Sequence, residues 1–237
     1  MNIEELLSRG DLVKRNKGIV LARPIKILIS SNAIRKIKEV YEPSSEKGGV
    51  MIMKPTNERG KFIIDGVRII ANKSSRSNTA FEPDENALSS FIMGTLAAGW
   101  LPLVFHTHPT KIGNNIYDSK RVGFYVGSSK PDRKIAGAGL LIDNEKILLP
   151  EAIFVKDSRY EAGYKLSFFQ GGILPASYNA LSKAQIIGAV LAGLSLLKWG
   201  RPLLLALAVL VGIEEYRRPK YTYFKNGSLE VEFRNVF

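Results

Sequence analysis

The stretch VFHTHPT, residues 104–110, contains the only two histidines of the chain, His106 and His108, with one threonine between them. The residues before it, WLPLVF, are apolar and typical of a buried strand. In a strand, residues i and i+2 point to the same face, so the two imidazoles would project together. Two imidazoles on one face suit Zn²⁺, which needs a third protein ligand and an open position for catalysis. The pair by itself is weak evidence, because most His-x-His pairs are surface or core residues that bind no metal.

A third ligand and an oxyanion donor can come from the sequence SKPD at residues 129–132. A serine, an early proline and an acid are typical of a helix start. Ser129 and Asp132 would then lie about one turn apart and could both face a neighbouring strand end. Asp132 would be the third ligand and Ser129 would stabilise a developing oxyanion. The alternative is ordinary helix capping, with Ser129 as the cap.

A carboxylate is needed to take a proton from the attacking water and to return it to the leaving group. Glu46 stands just before the apolar strand entry GGVM and is the first candidate for this base. Glu42, four residues earlier, is a competing candidate. Either residue could instead be a solvated loop charge.

These three separated motifs occur in the order found in a known family. The chain resembles the JAMM (MPN-type, Mov34/PAD-like) zinc metalloproteases from about residue 25 to residue 157. A strand and a helix precede the glutamate, a long helix precedes the histidine strand, and NTAFEPD (78–84) resembles the family's segment leading into that helix. The matching motifs are Glu46-x-x-Gly49, His106-Thr-His108-Pro109 and Ser129-x-x-Asp132.

The resemblance implies a role for each motif residue. His106, His108 and Asp132 would bind Zn²⁺ as the cofactor. Glu46 would hold the water as general base, and Ser129 would stabilise the tetrahedral oxyanion. Members of the family hydrolyse isopeptide or peptide bonds, often next to the C-terminus of ubiquitin or a ubiquitin-like protein, so the implied enzyme is a zinc isopeptidase or peptidase with a protein substrate.

One spacing departs from the family pattern, because residues 109–128 form a longer connection between the histidines and the serine. Either this loop carries an insertion, about residues 113–125, or the third ligand is Asp118 with Asn115 in the place of the serine. Asp132 is the preferred ligand because it completes a true Ser-x-x-Asp motif that a helix can follow. An insertion here would line the cleft and influence substrate choice.

Alternating helices and strands through the first 170 residues predict an α/β or α+β fold. The resemblance implies an MPN or cytidine-deaminase-like mixed sheet flanked by helices. A short leading helix is expected within residues 1–16. The predicted helices are 33–41, 84–98 and 133–141, and the predicted strands are 25–29, 49–53, 61–71, 100–105, 151–155 and 165–170.

The chain divides into an N-terminal extension (1–22), a metalloprotease-like domain (23–172) and a C-terminal appendage (173–237). The appendage contains two uncharged apolar runs, 184–197 and 202–213, and a β-hairpin with Asn226-Gly227 at its turn. Each apolar run is shorter than the roughly 20 residues that span a bilayer. A buried helical hairpin, or one that faces a partner or a second copy of the chain, is therefore favoured over a membrane contact.

Composition limits the rival functions. The chain of 237 residues has a net charge of +12, spread along the sequence without an arginine-rich tract, and it has no cysteine. Zinc ligation by thiolates is excluded, and no specific nucleic-acid partner is expected. The N-terminus lacks the apolar core of a secretory signal, so a cytoplasmic location is expected. The rival hypotheses are a non-catalytic MPN-like scaffold and a basic module that associates with membranes or nucleic acid.

Overall fold

The computed structural model describes residues 3–15, 18–22, 24–77, 80–109, 111–112, 115–116, 140–142, 145–156, 164–170 and 220–233. Its helices are α1 (Ile3–Ser8), α2 (Ser31–Val40) and α3 (Glu85–Ala97). Its strands are β1 (Leu12–Arg15), β2 (Gly18–Leu21), β3 (Ile25–Ile29), β4 (Gly48–Pro55), β5 (Lys61–Ile70), β6 (Leu101–His108), β7 (Lys111–Ile112), β8 (Asn115–Ile116), β9 (Leu140–Ile142), β10 (Glu145–Ile147), β11 (Pro150–Lys156), β12 (Tyr164–Gln170), β13 (Lys220–Tyr223) and β14 (Leu229–Phe233).

The main sheet has eight strands in the order β12-β11-β6-β4-β5-β3-β14-β13. The histidine strand β6 lies in its interior, where it pairs antiparallel with β4 and parallel with β11. The β3–β5 pair is also parallel, whereas β4 and β5 form an antiparallel hairpin. A mixed sheet with a small number of helices is an α+β architecture, which confirms the predicted class.

The elements around the histidine strand form where local sequence signals predict them. Ser30 caps α2, since its hydroxyl accepts a hydrogen bond from the Ala33 amide at 3.2 Å. Asp84 caps α3 in the same way through the Ala87 amide at 2.9 Å. A hydrogen bond from Lys73 and this capping bond hold the pKa of Asp84 below its usual value. Gly99 ends the helix with a φ of 75°, a conformation that favours glycine.

One face of the main sheet contributes most of the apolar core. Its side chains alternate along β3, β14 and the first half of β5, where every second residue is buried. Ile29, Ile64 and Val231 have no exposed surface. Ile27 and Phe62, which pair across β3 and β5, are 1% exposed. Side chains on adjacent strands therefore pack into one continuous layer.

The N-terminal residues differ from their prediction. The helix ends at Ser8, and Leu12–Arg15 is a strand, so a helix over 1–16 is wrong beyond its first half. β1 and β2 belong to a four-stranded sheet of order β1-β2-β10-β9. Leu6, Leu12 and Ile19 are buried in the same core cluster as the main sheet. These residues are thus part of the packed fold and do not form an extension outside it.

The C-terminal hairpin is confirmed, but its place in the fold differs from the prediction. β13 and β14 pair antiparallel across a turn in which Gly227 has a φ of 79°. β14 also pairs with β3, so the hairpin extends the main sheet and is not an appendage. The reason is the alternation in LEVEF, which buries Leu229, Val231 and Phe233 against the core.

Several predicted segments lie wholly or partly outside the described residues. The predicted helix over 133–141 is wrong at its end, because Leu140–Ile142 is strand β9, and its remainder is outside the description. The apolar runs 184–197 and 202–213 are outside it too. Within the part of the chain that the structure describes, no helix has the length and apolar character needed to cross a membrane.

Candidate metal centre

The last residues of β6 place both histidines on one face of the main sheet. His106 and His108 alternate with Phe105 and Thr107, and the strand remains regular to its end. Both imidazoles are largely buried, with 8% and 6% of their surface exposed. The neighbouring strand β11 flanks them with apolar side chains, since Ile153 pairs with His106 and Val155 with His108. The pair therefore lies in a protected, largely apolar environment.

The two imidazoles converge through their Nε2 atoms, which are 3.2 Å apart. Two nitrogen ligands of a tetrahedral zinc, each about 2.0 to 2.1 Å from the metal, would be separated by about 3.3 Å. The observed distance also suits one N–H···N hydrogen bond between neutral imidazoles. The spacing is therefore compatible with both a metal-binding pair and a hydrogen-bonded pair.

Glu46 comes to this site through the register of β4 and β6. Gly48 pairs with His106, and the pairing continues through Lys47, whose carbonyl accepts a hydrogen bond from the Thr107 amide at 2.7 Å. The Lys47 amide in turn donates to Thr107 Oγ1 at 3.0 Å. Glu46 directly precedes Lys47 in the chain, next to the last residue that is hydrogen-bonded to the end of β6. Glu46 is 7% exposed, so its carboxylate is not a solvated loop charge.

The competing base, Glu42, has a different environment. Its carboxylate accepts a hydrogen bond from Ser45 Oγ at 2.6 Å and lies 3.0 Å from Lys47 Nζ. These two contacts, the serine first, hold the pKa of Glu42 below its usual value. The side chain is 52% exposed. An exposed, ion-paired carboxylate with a lowered pKa is a poor general base, so the geometry favours Glu46 for that role.

A second loop holds Glu46 from the other side. The Glu46 amide donates to the Ser77 carbonyl at 2.5 Å, and the Glu46 carbonyl accepts from Asn72 Nδ2 at 2.9 Å. Both backbone polar groups of Glu46 are therefore fixed by the segment that follows β5. Asn72 is not among the site residues predicted from the sequence, and the only local signal at this position is the Asn-x-Ser turn pattern at 72–74.

Gly48 and Phe81 complete the wall beside His106. The Phe81 ring stacks on the His106 ring with centroids 6.2 Å apart and an angle of 14° between their planes. A Cβ atom at Gly48 would lie 2.7 Å from the Phe81 ring and 2.4 Å from the Phe105 carbonyl oxygen. Glycine is thus required at position 48 for β6 and Phe81 to approach this closely.

One further contact anchors the end of the histidine strand. Tyr41, at the C-terminal end of α2, donates its hydroxyl hydrogen to the His108 carbonyl at 3.3 Å. The helix that precedes Glu46 in sequence is therefore tied to the strand that carries the histidines. Sequence patterns gave no indication of this contact, because it joins residues 67 positions apart.

The remaining candidates lie outside what the structure describes. Ser129, Asp132 and the alternative ligand Asp118 are among the residues without a description. Asn115 belongs to β8, which pairs with β7, and its side chain is not described. Among the described residues alone, no group of three histidine, aspartate or glutamate side chains is arranged to hold a metal ion. The described part of the candidate site therefore supplies two imidazoles and the buried Glu46.

A cleft of about 510 Å³ between α3 and β5 is separate from these residues. Ile52, Arg68, Phe91 and Trp100 are among the side chains that line it. The cleft lies on the same face of the main sheet as the histidines. Ile52, which lines the cleft, pairs with Pro102, and Pro102 points to the same face as His106 because the two are four residues apart in β6. None of Glu46, His106 and His108 lines it.

Comparisons with known proteins leave the family open. No protein-family model matches the chain, and no curated protein matches it. One solved structure with similarity is the solution structure of protein DSY2949 from Desulfitobacterium hafniense. It is 14% identical over 60% of this chain and 82% of that chain, with a TM-score of 0.39. Similarity at this level carries no argument about fold or function.

Proposed function

We propose that this protein is a zinc-dependent peptidase or isopeptidase of the JAMM type, with an MPN-like fold. The single observation that supports it best is the convergence of His106 Nε2 and His108 Nε2 to 3.2 Å in a buried site. Glu46 adds a buried carboxylate two residues before Gly48, the residue of β4 that pairs with His106, and its place in the sequence matches the family signature. The substrate class is an amide or isopeptide bond, with a ubiquitin-like protein as the candidate acyl partner.

The chain's own residues would divide the chemistry between them. Glu46 accepts a proton from the attacking water as its oxygen bonds to the carbonyl carbon. Ser129 donates a hydrogen bond to the oxygen that becomes negative. Glu46 then passes the proton to the amide nitrogen as the carbon–nitrogen bond breaks, which leaves a carboxylate and a free amine.

The donor set fits a zinc ion in chemical type. Two imidazoles and one carboxylate, here His106, His108 and Asp132, are a set that leaves a fourth position open. When bound, zinc lowers the pKa of water to about 7 and polarises the substrate carbonyl. The apolar flank formed by Ile153 and Val155 would strengthen electrostatic interactions at the site by excluding water.

Metal content is the direct test of this proposal. We expect about one zinc per chain in the purified wild-type protein, and a large loss in His108→Ala, because one of the converging nitrogens is removed. Metal analysis by mass spectrometry on both proteins measures this, with thermal melting to verify that the variant is folded. If the wild type binds no zinc even after reconstitution, the 3.2 Å contact is a hydrogen bond and the non-catalytic scaffold becomes the better hypothesis.

The third ligand has its own test. We expect Asp132→Ala to lose both zinc and hydrolysis, because a two-histidine site binds zinc weakly. Asp118→Ala is the matched comparison, since it removes a carboxylate from the same connection between the histidine strand and β9. Zinc retained in Asp132→Ala and lost in Asp118→Ala would move the ligand assignment to Asp118 and the oxyanion role to Asn115.

The remaining expectations about partners stay predictions. Several lysines and arginines of the described surface form ion pairs with acids, as in Lys14–Glu145, Arg35–Glu39 and Lys54–Asp65. This mixed pattern favours a solvated surface over a nucleic-acid site. A cytoplasmic location, and a partner or second copy bound through residues 184–213, rest on the sequence alone.

A further inference from the structure

The side chain of Asn72 joins three separate segments of the fold. Its Nδ2 donates to the carbonyl of Glu46 at 2.9 Å and to the carbonyl of Ala80 at 2.9 Å. Its Oδ1 accepts from the amides of Ser74 at 2.9 Å and Glu82 at 3.0 Å. The amide thus uses both of its N–H donors and both of its acceptor positions.

The orientation of this amide is determined by its partners. Two carbonyl oxygens face the nitrogen, and two backbone N–H groups face the oxygen. A flipped amide would set donor against donor and acceptor against acceptor. Aspartate has the same shape as asparagine but cannot donate, so it would place a negative oxygen against the Glu46 and Ala80 carbonyls.

Two of the segments joined by Asn72 contain or flank residues of the candidate site. On one side is the backbone of Glu46, the candidate base. On the other side are Ala80 and Glu82, which flank Phe81, and the Phe81 ring stacks on His106. A change at Asn72 would therefore reach the glutamate and the first histidine at the same time, through two different contacts.

We propose that Asn72 is a positioning residue, which sets Glu46 and Phe81 against the histidine pair through its four hydrogen bonds. The four hydrogen-bond partners of its side chain include neither histidine, and it acts through the backbone of Glu46 and through the ring of Phe81. Its expected effect on hydrolysis rests on the proposed function, whereas its expected effect on the position of the Phe81 ring against His106 is independent of any catalytic activity.

The effect of Asn72 on the His106 ring can be measured by NMR without signals from histidines elsewhere in the chain. Because it has only two histidines, every imidazole signal in an NMR spectrum of protein labelled with ¹⁵N-histidine comes from this site. The stacked Phe81 ring shifts the His106 ring protons through its ring current. Displacement of Phe81 changes that shift in the folded protein, whereas a loss of stability without displacement does not.

The test compares Asn72→Asp and Asn72→Ser with Asn32→Asp as the matched control. Asn32 is an exposed residue of α2 whose Oδ1 accepts from Arg35, a bond that aspartate retains. Serine at position 72 can still accept from the Ser74 amide but cannot reach Glu46 and Ala80, so it isolates the long-range bonds. It also avoids the carboxylate–carbonyl repulsion if Asn72→Asp fails to fold.

We expect both Asn72 variants to shift the His106 ring protons away from their wild-type positions and to retain zinc. We expect kcat to fall about 10- to 100-fold, with KM little changed, since the misplaced group is the base. Asn32→Asp should match the wild type in all of these measurements. Unchanged His106 signals in a folded Asn72→Ser protein would overturn the inference, whether or not the wild type hydrolyses any substrate. A wild type that neither binds zinc nor hydrolyses would overturn the proposed function alone.

Discussion

Replacement of Glu46 by glutamine is expected to lower kcat by about 10²- to 10⁴-fold, while the zinc content of the protein remains that of the wild type. The amide has nearly the same shape as the carboxylate, but it cannot accept the proton of the attacking water. Glu46 is the candidate base and not a ligand, so the two histidines and the third ligand remain available for the metal. Initial rates on a ubiquitin-like protein joined through its C-terminus to a fluorogenic amine, together with metal analysis, measure both quantities.

The matched control is Glu42→Gln, four residues earlier in the chain. Glu42 is 52% exposed and paired with Lys47, so its loss is expected to leave kcat near the wild-type value. Opposite results are therefore expected for two glutamates of one loop: kcat falls in Glu46→Gln and stays near the wild-type value in Glu42→Gln. A Glu46→Gln protein that turns over like the wild type, with Glu42→Gln inactive, would reassign the base to Glu42.

The largest expected effect on stability comes from Asp11, far from the site. This aspartate has no exposed surface, and its Oδ1 accepts from the Gly60 amide at 2.7 Å. Arg9 Nε lies 2.8 Å from Oδ2, outside the alignment of a hydrogen bond, so that contact is mainly electrostatic. Asp11→Ala removes the acceptor of the buried Gly60 amide and the carboxylate beside the Arg9 guanidinium, which keeps its hydrogen bond to the Thr56 carbonyl. We expect a loss of about 3 kcal/mol in the free energy of unfolding.

Urea denaturation measures this loss. An unchanged m-value would show that the variant exposes as much surface on unfolding as the wild type does. The accompanying decrease in Tm is expected to be about 6 to 12 °C for a chain of this size. Asp65→Ala is the control, because Asp65 is 49% exposed in its ion pair with Lys54. Its effect should stay within about 0.5 kcal/mol. A loss in Asp11→Ala as small as that of the control would show that the N-terminal segment is not held by this buried carboxylate.

Much of the region around the histidines was predictable because its signals are local. A strand over 25–29, the Ser30 cap, and a helix ended by Gly99 depend on residues within a few positions of one another. The shared face of His106 and His108 follows from the two-residue period of a strand. Strand periodicity could be recognised without knowledge of any neighbouring strand.

Two differences from prediction involve strands that are distant in the chain. Residues 12–15 fit the end of an amphipathic helix, but they form β1 in a short hairpin with β2, and the distant strand β10 extends that hairpin into a sheet. The hairpin at Asn226-Gly227 has an unmistakable turn, yet nothing in its own sequence identifies β3 as its neighbour. Strand pairing over such separations depends on which buried faces fit together, and that is decided only when the core assembles.

The sequence by itself determined the strands of the main sheet, the shared face of the two histidines and the candidate glutamates, since each depends on residue type and short spacing. Only the tertiary structure separated Glu46 from Glu42, because burial and ion pairing depend on what packs around each carboxylate. Only the tertiary structure brought in Asn72 and Phe81, whose contacts cross 26 and 25 positions of the chain. Groups so far apart in sequence meet because the sheet register and the segment that follows β5 place them together, and no local pattern encodes that placement.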